Sequence, residues 1–229
     1  MNLSNKLSKT LRFVLAFTMA MILCIGTVNH IEPKMKASAA SSVATLKIFS
    51  DGSGPAYGTH AFINIKNNSS NSLNILGTTV RPGYSITVGT FGNKNDGKGI
   101  YTNLEAYFIK NYGAYSARVS LSMDLNSSQL NTVCNTMKNN NKWTYTSNCS
   151  WFAAKVWNSV APKSKQVSAG LIATPATLSK NIKKISGYKT RDSVGTCDTS
   201  NVRRYKGGNN SSSVSSGSLT WSSSGSSNS

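Results

Sequence analysis

Cysteine and histidine are the side chains in this sequence best suited to attack a carbonyl and move a proton, and both are scarce. The 229 residues hold four cysteines and two histidines. Cys149 follows Ser147-Asn148 and opens a helical pattern in which Cys149, Phe152, Ala153, Val156, Trp157 and Val160 share one face. A thiol at a helix N-terminus meets the positive end of the helix dipole and unpaired backbone N–H groups. Both favour the thiolate, which is the nucleophile. The same N–H groups can hold a developing oxyanion. The plainer alternative is a core thiol facing a sheet. His60 follows Gly58-Thr59 and opens an apolar run, with an imidazole suited to acid–base work near neutrality. At a period of two, His60, Phe62 and Asn64 lie on one face of a strand, and Ala61, Ile63 and Ile65 on the other. A lone strand histidine is usually structural. Together with a cysteine at a helix start, it offers a nucleophile and a base on rigid elements. Cys134 sits mid-helix among apolar neighbours and reads as packing. Cys197 lies in a polar Gly-Thr-Cys-Asp loop, and a Cys134–Cys197 pairing stays open.

The elements that must position this pair form two blocks. Strands are expected over Val43–Phe49, His60–Lys66, Leu73–Val80 (as hairpin partner of the strand before it), Tyr84–Thr90, Ile100–Ile109 and Tyr115–Met123. Asp51-Gly-Ser-Gly-Pro and Arg81-Pro-Gly supply turns. The period then becomes helical. Leu130, Val133, Cys134 and Met137 follow Ser127 and Ser128 as capping candidates, and the Cys149 helix comes next. A third helix starts at Thr174-Pro175, with Leu178, Ile182 and Ile185 on its face. Strands followed by helices make an α+β domain: an antiparallel sheet of five or six strands packed by about three helices.

The termini read differently. Lys6, Lys9 and Arg12 precede the apolar run Phe13–Ile25, and Ala37-Ser38-Ala39 follows as a cleavage pattern. Residues 1–39 are therefore expected to be a secretory signal peptide, and the protein to be secreted or associated with the cell surface. Removing their five bases and one acid takes the net charge from +18 to +14, and leaves His60 with Cys134, Cys149 and Cys197. Residues 206–229 are mostly Ser, Gly and Asn and are expected to be a disordered tail, leaving a folded domain over 42–205. Charge clusters at Lys180/Lys183/Lys184 and Arg203/Arg204/Lys206 suit an anionic cell-wall polymer or a membrane surface. Nucleic acid is disfavoured as a partner once export is assumed.

Other chemistries lack their signatures. No C-x-x-C or H-x-x-x-H spacing supports zinc, and there is neither a G-x-S-x-G elbow nor a phosphate-cradling glycine loop. No metal or cofactor is expected. Three segments, Gly58-Thr-His-Ala-Phe-Ile, Gly99-Ile-Tyr-Thr-Asn-Leu-Glu and Asn148-Cys-Ser-Trp-Phe-Ala, resemble those of the circularly permuted papain-like hydrolases. These are relatives of NlpC-type cell-wall peptidases and lecithin retinol acyltransferase-like enzymes. The resemblance covers about residues 45 to 160. It implies a permuted papain-like fold with Cys149 as nucleophile and His60 as base. Such enzymes usually orient the base with a second polar residue, often a histidine. None is left here, so the role falls to Asn103 or Glu105, with Asn64, Thr79 and Thr90 behind them. The expected activity is cleavage of an amide or ester through a thioester, with a cell-wall peptide as the expected substrate. The competing reading is a non-catalytic, basic, surface-binding module on the same fold.

Overall fold

The computed structural model describes residues 42–54 and 58–221. The expected signal peptide, with Cys24 and His30, lies outside the described residues, as do Pro55 of the first loop and residues 222–229 of the tail. The class is α+β. The principal strands are β1 (Ala44–Asp51), β2 (His60–Asn67), β5 (Ser85–Phe91), β6 (Gly99–Thr102), β7 (Val119–Leu125), β8 (Lys189–Thr190), β9 (Arg203–Gly207) and β10 (Asn210–Ser213). They form one open antiparallel sheet in the order β10-β9-β6-β5-β2-β1-β7-β8. The strand count thus exceeds the five or six expected. The extra strands, β8, β9 and β10, lie in a stretch too polar to announce itself by alternation.

Four helices flank this sheet: α1 (Leu104–Tyr112), α2 (Ser127–Lys138), α3 (Cys149–Asn158) and α4 (Pro175–Ile182). Alternation along the central strands divides the core in two. Leu46, Ile48, Ala61, Ile63, Ile65 and Val88 pack with Phe152, Val156 and Trp157 of α3 and Leu178 and Ile182 of α4. Phe49, Phe62, Phe91 and Tyr101 pack on the other face with Leu104 and Phe108 of α1 and with Tyr115. Both faces are covered, so β2 is buried along nearly its whole length, and a polar residue on it must find a partner in the fold.

Three expectations are corrected. The run Leu73–Val80 is not the partner of His60–Lys66. It folds on itself as β3 (Leu73–Ile75) and β4 (Thr78–Val80), a separate two-stranded sheet. Leu76 and Gly77 between them both have positive φ, at 54° and 78°, as a two-residue hairpin turn requires. β1 and β5 flank β2 instead. The run Ile100–Ile109 is not one strand. It leaves the sheet after Thr102, turns at Asn103 in the left-handed region (φ 61°), and becomes α1, closed by Gly113. Apolar residues at 100, 104, 106 and 108 satisfy a period of two by coincidence; Leu104 and Phe108 are one helical turn apart. The cap of α2 is Asn126 rather than Ser127 or Ser128, in a reciprocal capping box with Gln129.

Residues 206–221, expected to be disordered, instead run back over the fold. β9 pairs with β6 and carries β10. The Asp96 carboxylate then accepts from the N–H and hydroxyl of Ser215, both at 2.9 Å. Lys94 Nζ donates to Thr220 O at 3.2 Å. Trp221 seats its ring 5.2 Å from Phe108 and 5.0 Å from Tyr115. Polar composition hid this order because what holds the segment is hydrogen bonding to distant residues and one aromatic anchor. Two aromatic contacts are worth about 2 kcal/mol together. Trp221→Ala is therefore expected to lower the melting temperature by roughly 4–8 °C, read by calorimetry. An unchanged melting temperature would show that the segment does not stabilise the domain.

Candidate active site

The Cys149 helix starts where it does because Asn148 caps it. The Asn148 Oδ1 accepts the N–H groups of Ser150 at 3.1 Å and Trp151 at 3.2 Å. Its Nδ2 donates to Ala173 O at 2.7 Å, which ties this helix start to the lead-in of α4. The cap uses the second and third N–H groups of the helix and leaves that of Cys149 itself outside it. The Cys149 Sγ lies 3.9 Å from Ser150 Oγ, and the His60 ring and the Ala61 N–H are near enough to bear on its ionisation.

His60 reaches that point from the sheet. It opens β2 opposite Asp51 of β1, and Asp51 O accepts the Thr59 N–H at 2.9 Å, which fixes the chain just before it. The imidazole lies in a slot of aromatic rings, 4.5 Å from Phe91, 5.3 Å from Tyr115 and 6.1 Å from Phe62. It is buried, and its Nε2 is 3.1 Å from Glu105 Oε1. With Nε2–H donating to that carboxylate, the contact with Cys149 falls to Nδ1.

Glu105 is fully buried in the first turn of α1, where a carboxylate suits the helix dipole. It reaches the imidazole because β5 carries a glycine at that point. A Cβ on Gly89 would overlap Glu105 Oε1 and come 3.0 Å from His60 Nε2. Residue 89 is therefore glycine for space, since its φ is not in the left-handed region. No sequence pattern marks this glycine, because the close approach exists only in the assembled sheet.

The electrostatics follow from the contacts. Burial alone would lower the His60 pKa, but the charge and hydrogen bond of Cys149, with Glu105 behind, carry it from 6.5 up to about 9. Burial alone would raise the Cys149 thiol. The His60 charge and hydrogen bond, with the Ala61 N–H and Ser150, outweigh it and hold Cys149 below the ordinary thiol range. The other thiols go the opposite way. Burial pushes Cys134 up to about 11. Burial, with the charge of Glu105, pushes Cys197 up to about 12. The three cysteines among the described residues are free, so the Cys134–Cys197 pairing left open by sequence is not formed.

Of the candidates for orienting His60, the structure brings only Glu105 to the ring. Asn103 turns away and donates its Nδ2 to Asn201 O at 3.2 Å. Asn64 donates to Val194 O at 2.9 Å, and Thr79 is exposed on the small hairpin. Thr90 is buried on the face of β5 opposite Gly89, with its hydroxyl unpartnered among the described residues. Among the described residues, no three His, Cys, Asp or Glu side chains gather as metal ligands. What the arrangement can do is hold a thiolate beside an imidazolium whose far nitrogen is fixed by a buried carboxylate.

Gly89→Ala is expected to part Glu105 from His60 without touching Cys149. The ring-nitrogen titration of His60, followed by NMR, should then fall below about 9, with Cys149 still sustaining the larger part of the rise. A variant that still titrates near 9 would mean that the glycine is not what admits the carboxylate. No family model, curated protein or solved structure matches this chain.

Proposed function

We propose that this protein is a secreted cysteine hydrolase or acyltransferase of permuted papain-like fold, acting on an amide or ester, with a cell-wall peptide as its substrate. The observation that carries this reading is the convergence of Cys149 at an Asn148-capped helix start with a buried His60 whose Nε2 lies 3.1 Å from Glu105 Oε1; their mutual charges raise the imidazole and lower the thiol. The chain order, histidine strand before cysteine helix, accords with the permuted arrangement. The positive charge left after export suits an anionic cell-wall matrix.

The steps follow from the residues. The Cys149 thiolate adds to the substrate carbonyl carbon, and the oxyanion that forms lies at the start of α3, where the Cys149 N–H is outside the Asn148 cap. The carbon–nitrogen or carbon–oxygen bond breaks as His60 gives its Nδ1 proton to the leaving amine or alcohol. A thioester remains on Cys149. His60, now neutral, takes a proton from water or another acceptor, whose oxygen or nitrogen adds to the thioester and expels the thiolate. Glu105 acts through His60: it fixes the ring orientation and favours the imidazolium. The binding-module alternative drew on the absence of a second histidine, and Glu105 fills that place in the geometry.

Turnover needs Cys149 charged and His60 protonated together. The thiolate forms at a pH below the ordinary thiol range and the imidazolium persists to about 9, so activity should rise on the acid side and fall as pH passes about 9. Purified cell-wall peptides incubated with the protein should yield new amines and an acyl-enzyme detectable by mass. Cys149→Ala should abolish both, and Glu105→Gln should lower kcat on the order of 100-fold or more. Cell-wall binding that survives Cys149→Ala, with no turnover by the intact chain on peptide or ester substrates, would establish the binding-module reading instead.

A further inference from the structure

A cavity of about 310 Å³ opens at the end of the sheet that carries His60. Gly52, Ser53 and Ala117 line one side, and Ala176, Ser179, Lys180 and Lys183 of the α4 segment line the other. It adjoins the loop that delivers His60. Gly52 directly follows Asp51, the cross-strand partner of His60. A Cβ on Gly58 would lie 2.7 Å from Ala176 N and 3.0 Å from Gly52 Cα.

The α4 residues at this cavity stand at positions i, i+3, i+4 and i+7, one face of the helix. That face is small and polar rather than apolar, so it is not a core contact left open. Ser179 is only 5% exposed, yet its hydroxyl has no hydrogen-bond partner among the described residues. Pro175 O, the carbonyl one turn back that a helical serine would use, is taken by Ser50 Oγ at 2.7 Å. Lys180 and Lys183 are exposed and form no ion pair among the described residues. A lysine at a helix C-terminus is ordinarily explained by the dipole. The dipole does not explain a void beside two ammonium groups with a serine hydroxyl in its wall. The nearby acid, Asp51, is buried and engaged by the cavity's own wall: its carboxylate accepts from Ser53 N–H at 2.9 Å, from the Ser53 hydroxyl and from Ala117 N–H at 3.1 Å.

We propose that this cavity is an anion subsite, in which Lys180 and Lys183 supply charge and Ser179 a hydroxyl donor to a carboxylate or phosphate group. That the anion belongs to the substrate rests on the hydrolase reading; that the cavity binds an anion does not. Gly52 follows Asp51, the cross-strand partner of His60, so a carboxylate held here would lie at the same end of the sheet as the Cys149–His60 pair. The site thereby selects acidic over neutral peptides or esters.

The test is a titration of the isotope-labelled full chain with glutarate and, separately, inorganic phosphate, followed by amide NMR. The expected result is saturable shifts at Gly52, Ser53, Ala117 and Ser179 with at least one of the two probes. Affinity should fall about tenfold in Lys180→Gln/Lys183→Gln and measurably in Ser179→Ala. It should hold in Lys163→Gln/Lys165→Gln, an exposed pair of equal charge. The stronger of the two probes identifies the group as carboxylate or phosphate. Non-saturating shifts at lysines across the surface, or equal loss in both lysine pairs, would overturn the proposal. Iodoacetamide labelling of Cys149 should be unchanged in Lys180→Gln/Lys183→Gln. Loss of anion binding with labelling intact then isolates the subsite, while anion binding without any turnover would fault the hydrolase reading alone.

Discussion

The hydrogen bond from His60 Nε2 to Glu105 Oε1 is the interaction on which the rest of the site depends. It joins a strand to a helix across a face of the sheet that is otherwise aromatic and dry. Neither partner could be buried alone at acceptable cost. The fold accommodates it by three local choices. Gly89 removes a side chain that would fill the gap. Asn103 takes a left-handed turn that starts α1 in time to place Glu105 in its first turn. Phe91, Tyr115 and Phe62 wall the imidazole so that it presents its second nitrogen to Cys149. Polarity is thereby set outward: the carboxylate favours the imidazolium, and the imidazolium favours the thiolate at the sheet's end.

The scarcity of acids has a structural counterpart. Asp51 holds the loop before His60, Asp96 holds the C-terminal segment, Asp124 accepts from Thr45, and Asp192 pairs with Lys47 at 2.9 Å. Glu105 is committed to His60. Nearly every carboxylate among the described residues therefore has an assignment inside the fold, and Lys47 is the one described lysine or arginine in a salt bridge. A protein built this way presents positive charge widely, and the cavity at Lys180 and Lys183 is where that charge meets a shaped recess.

Local pattern made Cys149 and His60 legible, because a capped helix start and an alternating strand are written in adjacent residues. Thr174-Pro175 and the Cys149 helix were readable for the same reason. Glu105 was within reach as a residue type but was placed on a strand, since Ile100, Leu104, Ala106 and Phe108 mimic alternation through a strand-to-helix junction. Gly89 could not be read at all: its meaning is a distance between β5, β2 and α1. Nor could the ordering of residues 206–221, whose anchors, Asp96, Lys94 and Tyr115, are remote in the chain. Propensity reports what a segment can do alone, and these features are tertiary.

His60, raised to about 9, favours the thiolate at Cys149, whereas burial keeps Cys134 and Cys197 as thiols. Iodoacetamide labelling of the folded protein as a function of pH, with each modified cysteine identified by peptide mass, tests this most directly. Cys149 alone should label rapidly at neutral pH, and its midpoint should move up toward the ordinary thiol range in His60→Ala. Equal labelling of Cys134, Cys149 and Cys197, or a Cys149 midpoint that His60→Ala leaves in place, would show that His60 does not hold a thiolate.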